Sequence, residues 1–219
     1  NPFVEAGKVV SLEDIRKEYP DYAGNMKEDL LVPSPVDDKV YTVPVNGFWE
    51  SLFINKKVLA EAGVEVPGAD YSWDAFMADC EKIKAAGFTP VAVSLQEVPH
   101  YWFEFAVYNR GSIDNHLELP AASDDAVGQK WAEGLNDIKA LYDAGYLPSN
   151  TLTASDAETV QLLADGDAAF LIDGSWKIGY FQENNADNLE DFALSYVPGN
   201  GDRKATDLVG GISMGYYIT

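Results

Sequence analysis

Leu162-Leu163-Ala164-Asp165-Gly166-Asp167-Ala168-Ala169-Phe170-Leu171-Ile172-Asp173-Gly174-Ser175-Trp176 sets the reading of the whole chain. An apolar helix end stops at the Asp165-Gly166 turn, and the run Ala168 to Ile172 reads as a buried strand. Asp173-Gly174-Ser175 then lifts Trp176 off the carboxyl end of that strand. Open α/β sheets place ligands at such ends. Two readings of Trp176 stay open: a stacking platform for the flat apolar face of a ligand, or a lid over the core.

Working outward, residues 1 to 36 carry no recognisable strand, only a short amphipathic stretch from Ser11 to Glu18 that Ser11 can cap. Lys39 to Val45 has strand composition, Asn46-Gly47 is a turn signal, and Glu50 to Ile54 reads as a second strand. Asn55 and Ser72 are placed to cap the helices that follow, and Gly63 and Gly87 to end them. Thr89 to Leu95 is a further apolar strand, after which Gln96 to His100 leads into an aromatic helix ended by Gly111. An apolar stripe at Val127, Trp131, Leu135, Ile138 and Leu141 predicts a helix over 124–142, and Ser155 starts the next. Phe192 to Val197 and Leu208 to Ile218 close the chain as strands. Strands alternating with helices, without a fixed repeat, predict an α/β fold: a central mixed sheet with helices on both faces.

With 219 residues, 47% of them hydrophobic, the chain has apolar mass for one packed domain. Its net charge of −21 argues against nucleic-acid or anionic-membrane partners, which need basic patches. Cys80 stands alone and the two histidines are His100 and His116, so neither a disulfide framework nor a zinc or catalytic-histidine constellation is expected. No cofactor motif is visible, and no run of apolar residues is long enough to read as a membrane span or signal peptide.

Five segments in order resemble one family: Asp38 to Pro44, Phe53 to Gly63, Ser72 to Phe76, Gly166 to Trp176 and Gly210 to Ser213. Together they are similar to the family 1 extracellular solute-binding proteins of ABC importers. The resemblance implies the type II periplasmic-binding-protein fold and a monomeric, non-enzymatic receptor. Such a receptor closes over a solute, often a mono- or oligosaccharide, and hands it to membrane permease subunits. It implies an extracytoplasmic setting, in a periplasm or as a cell-surface lipoprotein. It also implies that residues 1–219 form one α/β lobe, mostly the second of two, with 1–36 and 208–219 near crossovers to a first lobe. A lobe alone supplies half the contacts, so weak sugar binding is expected of it.

Carried over by the resemblance, Trp176 takes the sugar-stacking position, because carbohydrate C–H faces prefer an indole to water. Leu95 to Tyr101 resembles the strand-to-helix loop that touches ligand, leaving open which of His100, Tyr101 and Trp102 faces the cleft. Asn46, Phe48 and Trp49 lie where the family often adds a contact, against the alternative of a turn asparagine and two covering aromatics. Glu97 and Asp173 are candidate acceptors for sugar hydroxyls, Asp173 equally a turn residue. A glycosidase would need two flanking carboxylates, for which Glu97 with Asp173 is the pair at hand. A ferric site at Tyr216-Tyr217 is disfavoured because a strand sends adjacent side chains to opposite faces. The same fold holds polyols, peptides and metal ions, but the aromatic density favours carbohydrate. Arg110 and Arg203 fall outside the segments assigned to the pocket, which argues against an anionic sugar.

Overall fold

The computed structural model describes residues 2–111 and 118–219; His116 lies outside them. The chain divides into two compact units, Glu50–Val209 and Asn1–Trp49 with Gly210–Thr219. Strand β1, Val43–Asn55, belongs to both: its first half pairs within the smaller unit and its second half within the larger.

In the larger unit the strand order is β2 (Thr89–Val91), β3 (Ala168–Gly174), β1, β4 (Phe192–Ser195). β2 runs parallel to β3, while β3 and β4 both run antiparallel to β1, so the sheet is mixed as expected. All seven residues of β3 are buried, the signature of a strand covered on both faces. Alternation then sorts the side chains. Leu52, Ile54, Phe170 and Ile172 pack with Phe76, Cys80 and Ile83 of the helix Trp73–Ala85, with Phe105 of His100–Arg110, and with Ile138 and Leu141 of Ala126–Asp143. Phe53 and Leu171 face the other way, onto Val160 and Leu163 of the helix Asp156–Asp165 and Phe181 of Lys177–Asn184. Burying one such aromatic contributes about 1.5–3 kcal/mol, which makes these two layers the main stabilising element.

Helix starts follow the predicted caps. Asn55 accepts hydrogen bonds from the Lys57 and Val58 amides at 3.1 and 3.2 Å, and donates to the Leu163 carbonyl at 3.1 Å. One buried side chain thus ties the start of one helix to the end of another. Ser155 forms a full capping box with Glu158, and Gly166 closes that helix at φ +81, a conformation that costs glycine little.

The smaller unit pairs the first half of β1 antiparallel with β5 (Gly210–Tyr216), and Leu12, Leu31 and Val40 form its apolar cluster. Asn46-Gly47 does not turn the chain here. The two strands expected on either side of it are one strand, with register shifts between Pro44 and Asn46 and between Asn46 and Gly47. A bulge absorbs the irregular residues without reversing direction. A Cβ on Gly47 would come within 2.8 Å of the Gly211 carbonyl oxygen, so glycine serves close strand approach and not a hairpin.

Candidate functional site

Two strand ends of the larger unit define the site. β3 ends at Asp173-Gly174, and the helix Lys177–Asn184 starts directly after Trp176. A Cβ at Gly174 would come within 2.1 Å of Cη2 and 2.2 Å of Cζ3 in the benzo ring of Trp176. The indole therefore folds back over the strand end, which only glycine permits, while 47% of the residue stays exposed. Beyond β2 the chain is pinned before it reaches the loop. Thr151 Oγ1 donates to the Val93 carbonyl at 2.7 Å, Ser94 Oγ to the Ala154 carbonyl at 2.6 Å, and the Leu95 amide to the Thr151 carbonyl at 2.7 Å. The loop from Gln96 to Pro99 then opens the helix His100–Arg110.

These segments and the start of the helix Asp156–Asp165 enclose a cavity of about 570 Å³. Its walls include Glu97, His100, Tyr101, Trp102, Asp173 and Trp176. The Tyr101 and Trp176 ring centroids are 5.6 Å apart at 55°, and His100 stacks on Tyr101 at 5.1 Å and 13°. Burial, followed by the nearby carboxylates of Asp173, Glu50, Asp156 and Glu104, pushes the Tyr101 phenol up to about 12, so it stays a hydrogen-bond donor at neutral pH.

Asp173 is 1% exposed. Burial raises its pKa to about 6, against the lowering effects of Lys177 and of the Gly174 amide, which donates to Oδ1 at 2.7 Å. Lys177 Nζ lies 3.2 Å from Asp156 and 3.5 Å from Asp173. Desolvation alone would lower the ammonium's pKa, but its two acidic neighbours outweigh it and the net shift is upward. The cavity's lysine is therefore already held by two carboxylates.

Of the aromatics at 100–102, His100 and Tyr101 offer accessible surface. Trp102 borders the cavity but is 5% exposed and packs on Phe76 at 5.9 Å, so its ring is a core ring. Asn46, Phe48 and Trp49 belong to the smaller unit and are not among the residues lining this cavity. Arg110 and Arg203 do not line it either. Arg110 forms a two-pronged ion pair with Asp137, and Arg203 is buried, donating to Asn109 Oδ1 and to the carbonyls of Val197 and Pro198. Sequence reading missed Gln96, Asp156 and Lys177. Lys177 had a signal, since it directly follows Trp176; Asp156 had none, because only folding brings its helix start to the end of β3.

Among the described residues no helix is long and apolar enough to cross a membrane. The chain is 30% identical over 114 residues to a provisionally named binding protein of Brucella abortus (strain 2308), a match that covers 50% of this chain and 26% of that protein. A solved chitin oligosaccharide binding protein is 25% identical, with a TM-score of 0.77 over 99% of this chain and 53% of its own. A protein of Caldanaerobius polysaccharolyticus from work on xylan utilization, 21% identical, has a TM-score of 0.76 over 99% of this chain and 55% of its own. A family 1 extracellular solute-binding protein of Bifidobacterium longum subsp. infantis, 17% identical, has a TM-score of 0.66 over 99% and 55%. The chain thus spans about half the length of the solved proteins whose fold it shares. The family model for bacterial extracellular solute-binding proteins matches residues 1–219, and the chain belongs to that family.

Proposed function

We propose that the protein is the binding receptor of an ABC importer for a neutral mono- or oligosaccharide, which it captures outside the cytoplasm and delivers unchanged to the permease. The observation that carries this reading is the Tyr101–Trp176 ring pair in the wall of the cavity, set among hydroxyl-accepting carboxylates. Aromatic faces suit sugar C–H faces, and carboxylates take charge-assisted hydrogen bonds from hydroxyls. With Lys177 held by Asp156 and Asp173, and Arg110 and Arg203 engaged elsewhere, no spare lysine or arginine for an anionic solute lines the cavity among the described residues.

Trp176, Tyr101, His100, Glu97 and Asp173 are the residues assigned to the solute, with Trp102 in the wall as a core ring packed on Phe76. Asn46, Phe48 and Trp49 are kept as contacts that the family resemblance suggests outside this cavity. The chain represents one lobe of a two-lobed receptor, an assignment supported by its spanning about half of the related structures. Isothermal calorimetry of the full-length protein against galactose, xylotriose, chitotriose and maltotriose tests the reading. Saturable binding of at least one is expected. Binding only of amino acids, peptides or metal ions would keep the fold and overturn the carbohydrate assignment.

A further inference from the structure

A carbohydrate makes two demands on a binding wall, because each hydroxyl both donates and accepts while ring and glycosidic oxygens only accept. The cavity at the end of β3 meets the first demand with the carboxylates of Glu97, Asp156 and Asp173. Donors are scarcer. Ser94 spends its hydroxyl hydrogen on the Ala154 carbonyl at 2.6 Å, and Ser155 spends its own on Glu158 at 2.8 Å within the capping box. Among the described residues of the wall, Lys177 is the side chain that offers three N–H bonds on a permanent charge.

Three elements meet at that ammonium. Lys177 opens the helix Lys177–Asn184 directly after Trp176, Asp156 opens the helix Asp156–Asp165, and Asp173 stands one residue before the end of β3. Lys177 Nζ donates to Asp156 Oδ2 at 3.2 Å and lies 3.5 Å from Asp173 Oδ2. Asp173 is buried, and its other oxygen accepts the Gly174 amide, so it anchors the ammonium from inside. Asp156, with 67% of its side chain exposed, holds it from the rim. Two carboxylates thus occupy two of three N–H bonds, and no third acceptor bonds Nζ among the described residues. The charge is matched, while one hydrogen bond stays open on a side chain that lines the cavity and keeps 20% of its surface exposed. Rotation about the Cε–Nζ bond lets the open N–H follow an incoming oxygen.

We propose that Lys177 is a solute-binding residue: Asp156 and Asp173 fix its ammonium, and its third N–H donates to an oxygen on the edge of the sugar ring that stacks on Trp176. This deepens the carbohydrate reading above and rests on it. The lysine selects a solute that carries an acceptor oxygen at that edge. A neutral hydroxyl or ring oxygen suits it better than a carboxylate or phosphate, because an anion there would also meet Asp156 and Asp173.

The test uses the full-length protein and whichever of galactose, xylotriose, chitotriose and maltotriose binds most tightly. Lys177→Met keeps an unbranched stem and removes the ammonium. Calorimetry should read an affinity about 10- to 100-fold below wild type, the range of a hydrogen bond to a charged group. Such a loss would also follow from a displaced helix start, so a second readout watches the ammonium itself. In proton–nitrogen correlation spectra the Lys177 Nζ resonance, assigned by its disappearance from the Lys177→Arg protein, should move when sugar saturates the site. A resonance that bound sugar leaves in place overturns the proposal and makes the lysine a clasp between two helices. A Lys177→Met affinity within about twofold of wild type overturns it as well. Should Lys177→Met fail to fold, the resonance decides alone. Failure of all four sugars to bind overturns the carbohydrate reading and the lysine's role with it, whereas binding of one sugar past an unmoved resonance overturns the lysine's role alone.

Discussion

Removing the Trp176 ring tests the site most directly. A tryptophan side chain offers roughly 200–250 Å² of contact surface. With 47% of the residue exposed, roughly 100 Å² of it remains for a solute to cover. At about 25 cal/mol per Å² that area is worth at most ~2.5 kcal/mol, and covering only one face of the indole brings the lower bound to ~1 kcal/mol. Trp176→Ala should then weaken sugar binding by roughly 5- to 70-fold, read by calorimetry on the full-length protein. Trp176→Phe, which keeps a smaller ring, should recover part of the loss. The other part of the indole packs over Gly174, so the alanine variant should also lose some folding stability, and urea titration separates that loss from affinity. An unchanged dissociation constant in a folded Trp176→Ala protein would refute the stacking role and leave the tryptophan a lid on the strand end.

Three other expectations follow from the same geometry. Gly174→Ala places a methyl group within 2.1 Å of the Trp176 benzo ring, so the ring must move; a shift in tryptophan fluorescence with weaker sugar binding is expected, and an unchanged spectrum would contradict the observed packing. Asp173 has a folded pKa of about 6 against the ordinary aspartate value of 3.8, so the folded state binds the extra proton between those values. Its contribution is therefore fully present below about pH 4 and is lost as pH rises through about 6, a change of about 2–3 kcal/mol. Asp173→Asn should flatten that slope in urea midpoints across the interval, and parallel curves would refute the assignment. Phe170, fully buried in β3, should cost about 3–5 kcal/mol when changed to alanine, and a loss under about 1 kcal/mol would mean that the two-layer packing is misread.

Much of the fold was legible because its signals are local. The Asp165-Gly166 stop, the apolar run to Ile172 and the caps at Asn55, Ser72 and Ser155 each depend on residues within a few positions of one another. Helix capping and strand composition need no knowledge of distant chain. Asn46-Gly47 was misread for the same reason: the dipeptide favours a turn locally, but pairing with β5 keeps β1 continuous and turns the irregularity into a bulge.

The site divides along the same line. Trp176 could be found from the sequence, because a glycine-containing turn at the end of a buried strand announces itself. Which neighbour of Tyr101 faces solvent could not, since helical rotation from a start at Pro99 decides that Trp102 enters the core while His100 stays out. The ion pair of Lys177 with Asp156 joins positions 21 residues apart, and it sets both beside the buried Asp173. Those charges acquire their meaning only from burial and proximity, which the sequence does not contain. The local grammar of the chain specified the elements and the place of Trp176 at the strand end, and the packing of β1 against β3 and the aromatic helix decided the electrostatics around it.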